Sequence, residues 1–146
     1  MNKTILNIQE KENYKWFIVD AEEKNLGRLS SEISKVLLGK NQPTYSPSNS
    51  IKQSVIVINA DKIVVTGKKS TDKFYRRHSG RPGGLTIETF EELNKRIPSR
   101  ILEKAIKGML PKNRLGRTLF TNLKVYPGTS HPHEAQKPEI LKLDKN

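Results

Sequence analysis

Residues 16–37 read Trp16-Phe17-Ile18-Val19-Asp20-Ala21-Glu22-Glu23-Lys24-Asn25-Leu26-Gly27-Arg28-Leu29-Ser30-Ser31-Glu32-Ile33-Ser34-Lys35-Val36-Leu37, and their hydrophobic pattern changes part-way along. The first four form a continuous apolar run rich in β-formers, without the alternation of a half-exposed strand. Such a run, bounded by turns, suits a strand covered on both faces in a parallel sheet. From Leu26 the period lengthens. Leu26, Leu29, Ile33, Val36 and Leu37 fall within an arc of about 100° at about 100° per residue, one face of a helix. Asn25 is placed to cap its start. Gly39 stands where a left-handed C-terminal residue is wanted, and Lys35 and Lys40 suit the negative end of the helix dipole. Val55-Ile56-Val57-Ile58 then repeats the buried-strand pattern. Strand, helix, strand is the βαβ order and places the chain in the α/β class.

Working outward, Ile63-Val64-Val65 is a third apolar run, and Lys124-Val125-Tyr126 a short further strand. A second helix is expected over 87–96, with Glu88, Glu91 and Glu92 at its start and Lys95 and Arg96 at its end, as the macrodipole favours. Pro98 breaks it. Ser99 can cap a third helix over 100–110, whose apolar face is Ile101, Leu102, Ala105, Ile106 and Met109 and whose other face carries Arg100, Glu103, Lys104 and Lys107. Pro111 stops that helix. A short helix over 114–121 follows, with Leu115 and Leu119 one turn apart. The 146 residues suit a single domain. At that size a domain hides roughly 70% of its unfolded surface.

Charge is the dominant compositional signal. There are 27 Lys and Arg against 15 Asp and Glu, a net charge of +12, which points to a polyanionic partner, nucleic acid before membrane. The excess is local. Lys68, Lys69, Lys73, Arg76, Arg77 and Arg81 face only Asp72 within residues 68–81. Residues 104–124 carry Lys104, Lys107, Lys112, Arg114, Arg117 and Lys124 with no acid. No cysteine is present, so disulfides and thiolate metal sites are excluded. No apolar run approaches the ~20 residues of a membrane span. The first fourteen residues have neither the apolar core of a secretory signal nor the composition of a transit peptide, so the chain is expected to act where it is made.

The stretch Lys68 to Gly84 mixes cations with aromatics and small residues and reads as a long basic loop. Its Lys and Arg suit phosphates, Tyr75 and His78 suit stacking on unpaired bases, and its glycines suit close approach to a sugar-phosphate chain. The alternative is a solvated charged loop, but such a run repels itself unless a polyanion is present. The loop is expected to order on binding. Around the third helix, a basic amphipathic surface also fits an anionic membrane, but the apolar face holds no Trp or Phe and two prolines confine it. Gly67-Lys68-Lys69-Ser70 lacks the glycine and the Ser/Thr placement of a phosphate-binding P-loop. His131 and His133 flank Pro132, a weak zinc arrangement. Asp20 and Asp61 each follow a predicted strand, where α/β enzymes place carboxylates, but each can equally cap a turn or pair with a cation. No base, nucleophile or ligand set converges on them.

Several segments resemble one family. Val19-Asp20-Ala21 with Leu26-Gly27-Arg28-Leu29, Asn59-Ala60-Asp61-Lys62 with Val65-Thr66-Gly67, Lys107-Gly108-Met109-Leu110-Pro111-Lys112 with Leu115-Gly116-Arg117, and Leu123-Lys124-Val125-Tyr126 are similar, in order, to the ribosomal protein thirteen family of the bacterial-type large subunit. The likeness runs from about Tyr14 to Pro138, is most specific over Lys107 to Arg117, and does not reach the two ends. It implies a three-layer α/β/α domain around a small, largely parallel or mixed sheet, with basic loops and a C-terminal extension. It implies a protein that binds large-subunit ribosomal RNA early in assembly, beside neighbouring large-subunit proteins, without catalysis, cofactor, metal, membrane or small-molecule substrate. The organisation it implies is an extension over 1–13, the RNA-binding domain over 14–130 and a tail over 131–146. Arg28, Lys68, Lys69, Lys73, Tyr75, Arg76, Arg77, Lys112, Arg114 and Arg117 carry over as RNA-facing residues. Lys40, His78, Arg81, Lys107 and Lys124 complete the expected set. Tyr75 to Gly84 resembles cyanobacterial and plastid members most, and heavy use of Lys, Asn and Ile fits an AT-rich genome. A plastid-encoded chain needs no transit peptide, so the plastid stroma is favoured over a bacterial cytoplasm.

Overall fold

The computed structural model describes residues 14–43, 45–47 and 53–141; the extension over 1–13 and the last five residues of the tail lie outside the described residues. The chain begins with strand β1 (Lys15–Asp20), helix α1 (Leu26–Leu38) and strand β2 (Gln53–Ile58). Asn25 caps α1 by accepting a hydrogen bond from the Gly27 N–H, and Gly39 closes it in the left-handed conformation at φ 75°. A 3-10 turn (Ala60–Lys62) leads to the short helix α2 (Lys69–Asp72) and an antiparallel hairpin of β3 (Phe74–His78) and β4 (Leu85–Thr89). Helices α3 (Phe90–Arg96), α4 (Ser99–Met109) and α5 (Arg114–Thr121) follow. The chain closes with β5 (Leu123–Val125), a 3-10 turn (Glu134–Gln136) and β6 (Glu139–Ile140).

The main sheet is parallel, in the order β5-β2-β1-β6. From β1 to β2 to β5 the chain steps one way across it, and right-handed connections put α1 to α5 on a single face. The return from β5 to β6 at the far edge runs the other way, and the same handedness carries it across the opposite face. The alternation of the strands agrees. Phe17, Val19, Val55, Val57, Leu123 and Val125 point to one side and pack with Leu29, Ile33, Leu37, Leu93, Ile101, Leu102 and Ile106. Trp16 points to the other side, where the ring of His133 lies 5.2 Å from its own. The domain thus has three layers of unequal weight: helices, sheet, and a thin cover made by the segment after β5. The sequence reading sets residues 131–146 apart as a tail, yet Glu139–Ile140 supplies the edge strand beside β1.

Four readings are corrected. Ile63-Val64-Val65 is not a strand: Ile63 is buried and Val64 forms only an isolated bridge to Asn25. Both edges of β2 are already taken by β1 and β5, so this run cannot pair beside the strand it follows. The helix expected from residue 87 begins at Phe90, because Leu85–Thr89 pairs with β3 and Thr89 forms a capping box with Glu92. Glu88, counted with the acidic start of the helix in the sequence reading, lies in β4 instead, opposite Tyr75. Ser99 does not cap α4; it is the first helical residue, after Pro98. The long basic loop is instead α2 and a paired hairpin, and only residues 79–84 form a turn, with Gly80 and Gly83 at positive φ. Its cation–aromatic mixture hides a period of two.

Gly116 shows where the fold tolerates no side chain. A Cβ there would lie 1.8 Å from the carbonyl oxygen of Pro111, so the approach of α5 to the preceding loop requires glycine. Gly108, exposed in α4, has nothing within 4 Å of the equivalent position. Gly116→Ala is expected to destabilise the chain by about 2–3 kcal/mol. Gly108→Ala is expected to stabilise it by up to about 1 kcal/mol. Urea unfolding of the two variants beside the parent checks both signs.

Candidate nucleic-acid interface

The basic surface is organised by α4. Ile101, Leu102 and Ile106 are buried, which forces the opposite side outward. Arg100, Lys104 and Lys107 fall within about 60° of one another on that side at 100° per residue. They form a cationic stripe along the helix, with a recess at each end.

Near the C-terminal end of α4, a groove of ≈ 270 Å³ is lined by Lys107, Leu110, Pro111, Lys112, Asn113, Gly116, Arg117 and Phe120. Asn113 caps α5 by accepting from the Gly116 N–H at 2.8 Å, which fixes Arg114 and Arg117 on its exposed side. The Lys107 ammonium sits 5.6 Å above the Phe120 ring. At the other end, Tyr75, Arg77, Glu88, Arg96, Arg100 and Lys104 line a recess of ≈ 90 Å³. Along the flank, a second groove of ≈ 270 Å³ is lined by Gly27, Thr66, Lys69, Lys73, Ala105 and Met109 among others. Met109, read from the sequence as core, is 45% exposed there.

The expected RNA-facing residues divide accordingly. Lys69, Lys73, Arg77, Lys107, Lys112 and Arg117 line these recesses, and Arg28 and Arg114 are exposed in the first turns of α1 and α5. Lys68 precedes α2, and Arg81 projects from the hairpin turn, both exposed. His78 is exposed too, but its Nδ1 accepts the Gly80 N–H at 2.9 Å and so helps to shape that turn. On β3, Arg76 lies on the face of the hairpin that holds Phe74, Leu85 and Ile87, opposite Arg77. Lys40 follows the C-terminus of α1, about 20 Å along that helix from Arg28. Lys124 alternates with Leu123 and Val125 and so faces the thin cover, away from the stripe.

Tyr75 is the main surprise. Its ring packs against the core, with the Lys104 ammonium 5.0 Å and the Lys73 ammonium 5.8 Å from its centroid. Burial raises its pKa above the ordinary 10.0, so the hydroxyl stays protonated. Arg96, Arg100 and Lys104 were not among the expected contacts. The helical wheel placed Lys104 with Lys107 on the outer side of α4, but only the fold shows that this side meets the hairpin.

Residues 14–132 match the family described as ribosomal protein L13. The chain belongs to the ribosomal protein L13 family. It is 62% identical over 144 residues to the large ribosomal subunit protein uL13 of Crocosphaera subtropica, covering 99% of this chain and 95% of that protein. It is 62% identical over 141 residues to the large ribosomal subunit protein uL13c of Guillardia theta, covering 97% of this chain and 99% of that protein. Against the uL13 of Synechococcus elongatus the identity is 58% over 143 residues, with 98% and 95% covered. The L13 family is one of structural ribosomal proteins and not of enzymes.

The strand-end carboxylates have structural partners that suit this. Asp20 Oδ1 accepts the Glu22 N–H at 3.0 Å and the Asn59 amide at 2.9 Å, closing the turn after β1 onto the turn after β2. Asn59 holds φ 55° there, and its own N–H reaches the Gly128 carbonyl. Partial burial pushes the Asp20 pKa up, but the two hydrogen bonds and Lys24 and Lys62 outweigh it, leaving it below the ordinary 3.8. A lowered carboxylate pKa stabilises the fold above the unfolded value, and this contribution is lost as pH falls through the folded one. Asp20→Ala is expected to cost about 1 kcal/mol at neutral pH. The difference from the parent should shrink once pH falls below 3.8 in paired urea titrations.

Proposed function

We propose that this chain is a structural constituent of the large ribosomal subunit, binding large-subunit ribosomal RNA through the cationic stripe of α4 and the recesses along it. It supports early subunit assembly beside neighbouring large-subunit proteins. The observation that carries the RNA reading is charge without counter-charge: among the described residues, none of Arg77, Arg100, Lys104, Lys107, Lys112, Arg114 and Arg117 has a carboxylate partner. Surface cations gathered in this way repel one another, and a polyanion relieves the repulsion. Phosphate contacts supply most of the affinity and fix the orientation. The full expected set, from Arg28 and Lys40 to Lys124, remains the pool of contacts, with the residues along α4 at its centre.

The binding unit spans 14–130 together with β6, and the apolar core folds without RNA. The ribosome is the site of action. The plastid stroma is the favoured compartment, supported by the likeness to both cyanobacterial relatives and a protein named uL13c. A bacterial cytoplasm is the alternative; fractionation of source cells with an antibody to the chain separates the two.

If about six to eight phosphates are contacted, log K for ribosomal RNA falls against log salt with a slope of about −4 to −7. A slope near zero in filter-binding titrations contradicts an electrostatic interface. Replacing Arg76 and Arg77 by alanine is expected to flatten the slope with little change in melting temperature, since both side chains are exposed. A large loss of melting temperature would instead make them structural.

A further inference from the structure

We propose that the recess between the β3–β4 hairpin and α4 seats one phosphate group of the RNA backbone, held by Arg77, Arg100, Lys104 and the Tyr75 hydroxyl. The inference rests on the RNA-binding reading and adds to it a single ligand group, its location and the Tyr75 hydroxyl as a contact.

Three observations meet there. First, the recess is small. Its ≈ 90 Å³ is a third of the ≈ 270 Å³ of either groove and suits a tetrahedral oxyanion. Second, its charge is unbalanced. Arg96 donates to both oxygens of Glu88 at 2.7 and 2.8 Å, so the lining acid is already matched. Arg77, Arg100 and Lys104 remain, and among the described residues none forms an ion pair. Third, Tyr75 lines the recess with a buried hydroxyl that has no hydrogen-bond partner. A buried donor left unmade is costly, and native structures seldom keep one without a ligand or water to complete it.

A phosphodiester meets all three. Its non-bridging oxygens only accept, so they suit a set made of donors. One guanidinium can clamp them in bidentate fashion while the ammonium acts as a point charge. The hairpin and α4 are separate elements, so the seat would also fix the angle at which the hairpin meets RNA that follows the stripe.

The test uses the full chain and a large-subunit ribosomal RNA transcript, titrated over a range of salt. Arg100→Gln combined with Lys104→Met, which keeps the aliphatic stem over Tyr75, is expected to weaken binding and make the log–log salt slope shallower by about 0.9. Tyr75→Phe is expected to weaken binding roughly two- to tenfold at unchanged slope. Its melting temperature without RNA should be unchanged or higher, because the hydroxyl it lacks has no partner in the free protein. If the parent binds the transcript and these variants match it in affinity and slope, the seat is wrong and the broader reading stands. If the parent itself does not bind, both fall. Melting in inorganic phosphate against chloride at equal ionic strength forms the remaining arm. Phosphate stabilisation lost in Tyr75→Phe, with RNA binding intact, would assign the recess to free phosphate and overturn the RNA assignment.

Discussion

Like charges gathered on one side of a small protein repel one another, and that repulsion has to be offset by packing that does not involve them. In this chain the two demands meet on α4. One side places Ile101, Leu102 and Ile106 in the core against α1 and the sheet. The other side holds Arg100, Lys104 and Lys107 outward. The apolar half fixes where the cations stand, and their spacing is therefore a property of the core. Ser30 and Ser34 of α1 assist by returning their hydroxyls to the helix's own carbonyls at 2.7 Å, so the small polar side chains between the packed helices leave no donor unmet. Neighbouring pieces are oriented from α4: the hairpin at one end, α5 at the other through the close approach of Gly116 to Pro111.

The sheet serves this arrangement rather than chemistry of its own. Its C-terminal edge, where many α/β proteins hold a substrate, is closed by Asp20, Asn59 and the backbone of residues 126–128. The far face is covered by the returning chain, where the tilted rings of Trp16 and Tyr126 lie 5.2 and 5.8 Å from that of His133 and the Tyr126 hydroxyl meets His133 Nε2 at 2.8 Å. His131 and His133, which suggested a weak metal site, are thus engaged with each other and with aromatic rings: the His133 N–H donates to His131 Nδ1 at 3.2 Å.

Much of the fold was legible because burial leaves a period in the sequence. The unalternating runs of β1 and β2, the stripe of α1 and its two caps, and the amphipathic face of α4 all follow from local physics and appear where the residues place them. The hairpin was not legible. Phe74-Tyr75-Arg76-Arg77-His78 carries no apolar alternation, and its stability comes from pairing with β4 and from packing of Tyr75 on the core, neither visible locally. The cations themselves were easy to find; their grouping was not. Which basic residues share a recess depends on the hairpin lying against α4, a long-range contact, so the grouping of Arg77 with Arg96, Arg100 and Lys104 has no local signal.

The central claim is that this charge is held on a rigid core as part of a ribosome, not as loose attraction to any polyanion. Sucrose-gradient sedimentation of a native extract in ~0.5 M monovalent salt, where the Debye length is only a few ångströms, tests it most directly. The account predicts that the chain still migrates with the large subunit. Recovery of the chain in the light fractions alone would contradict it.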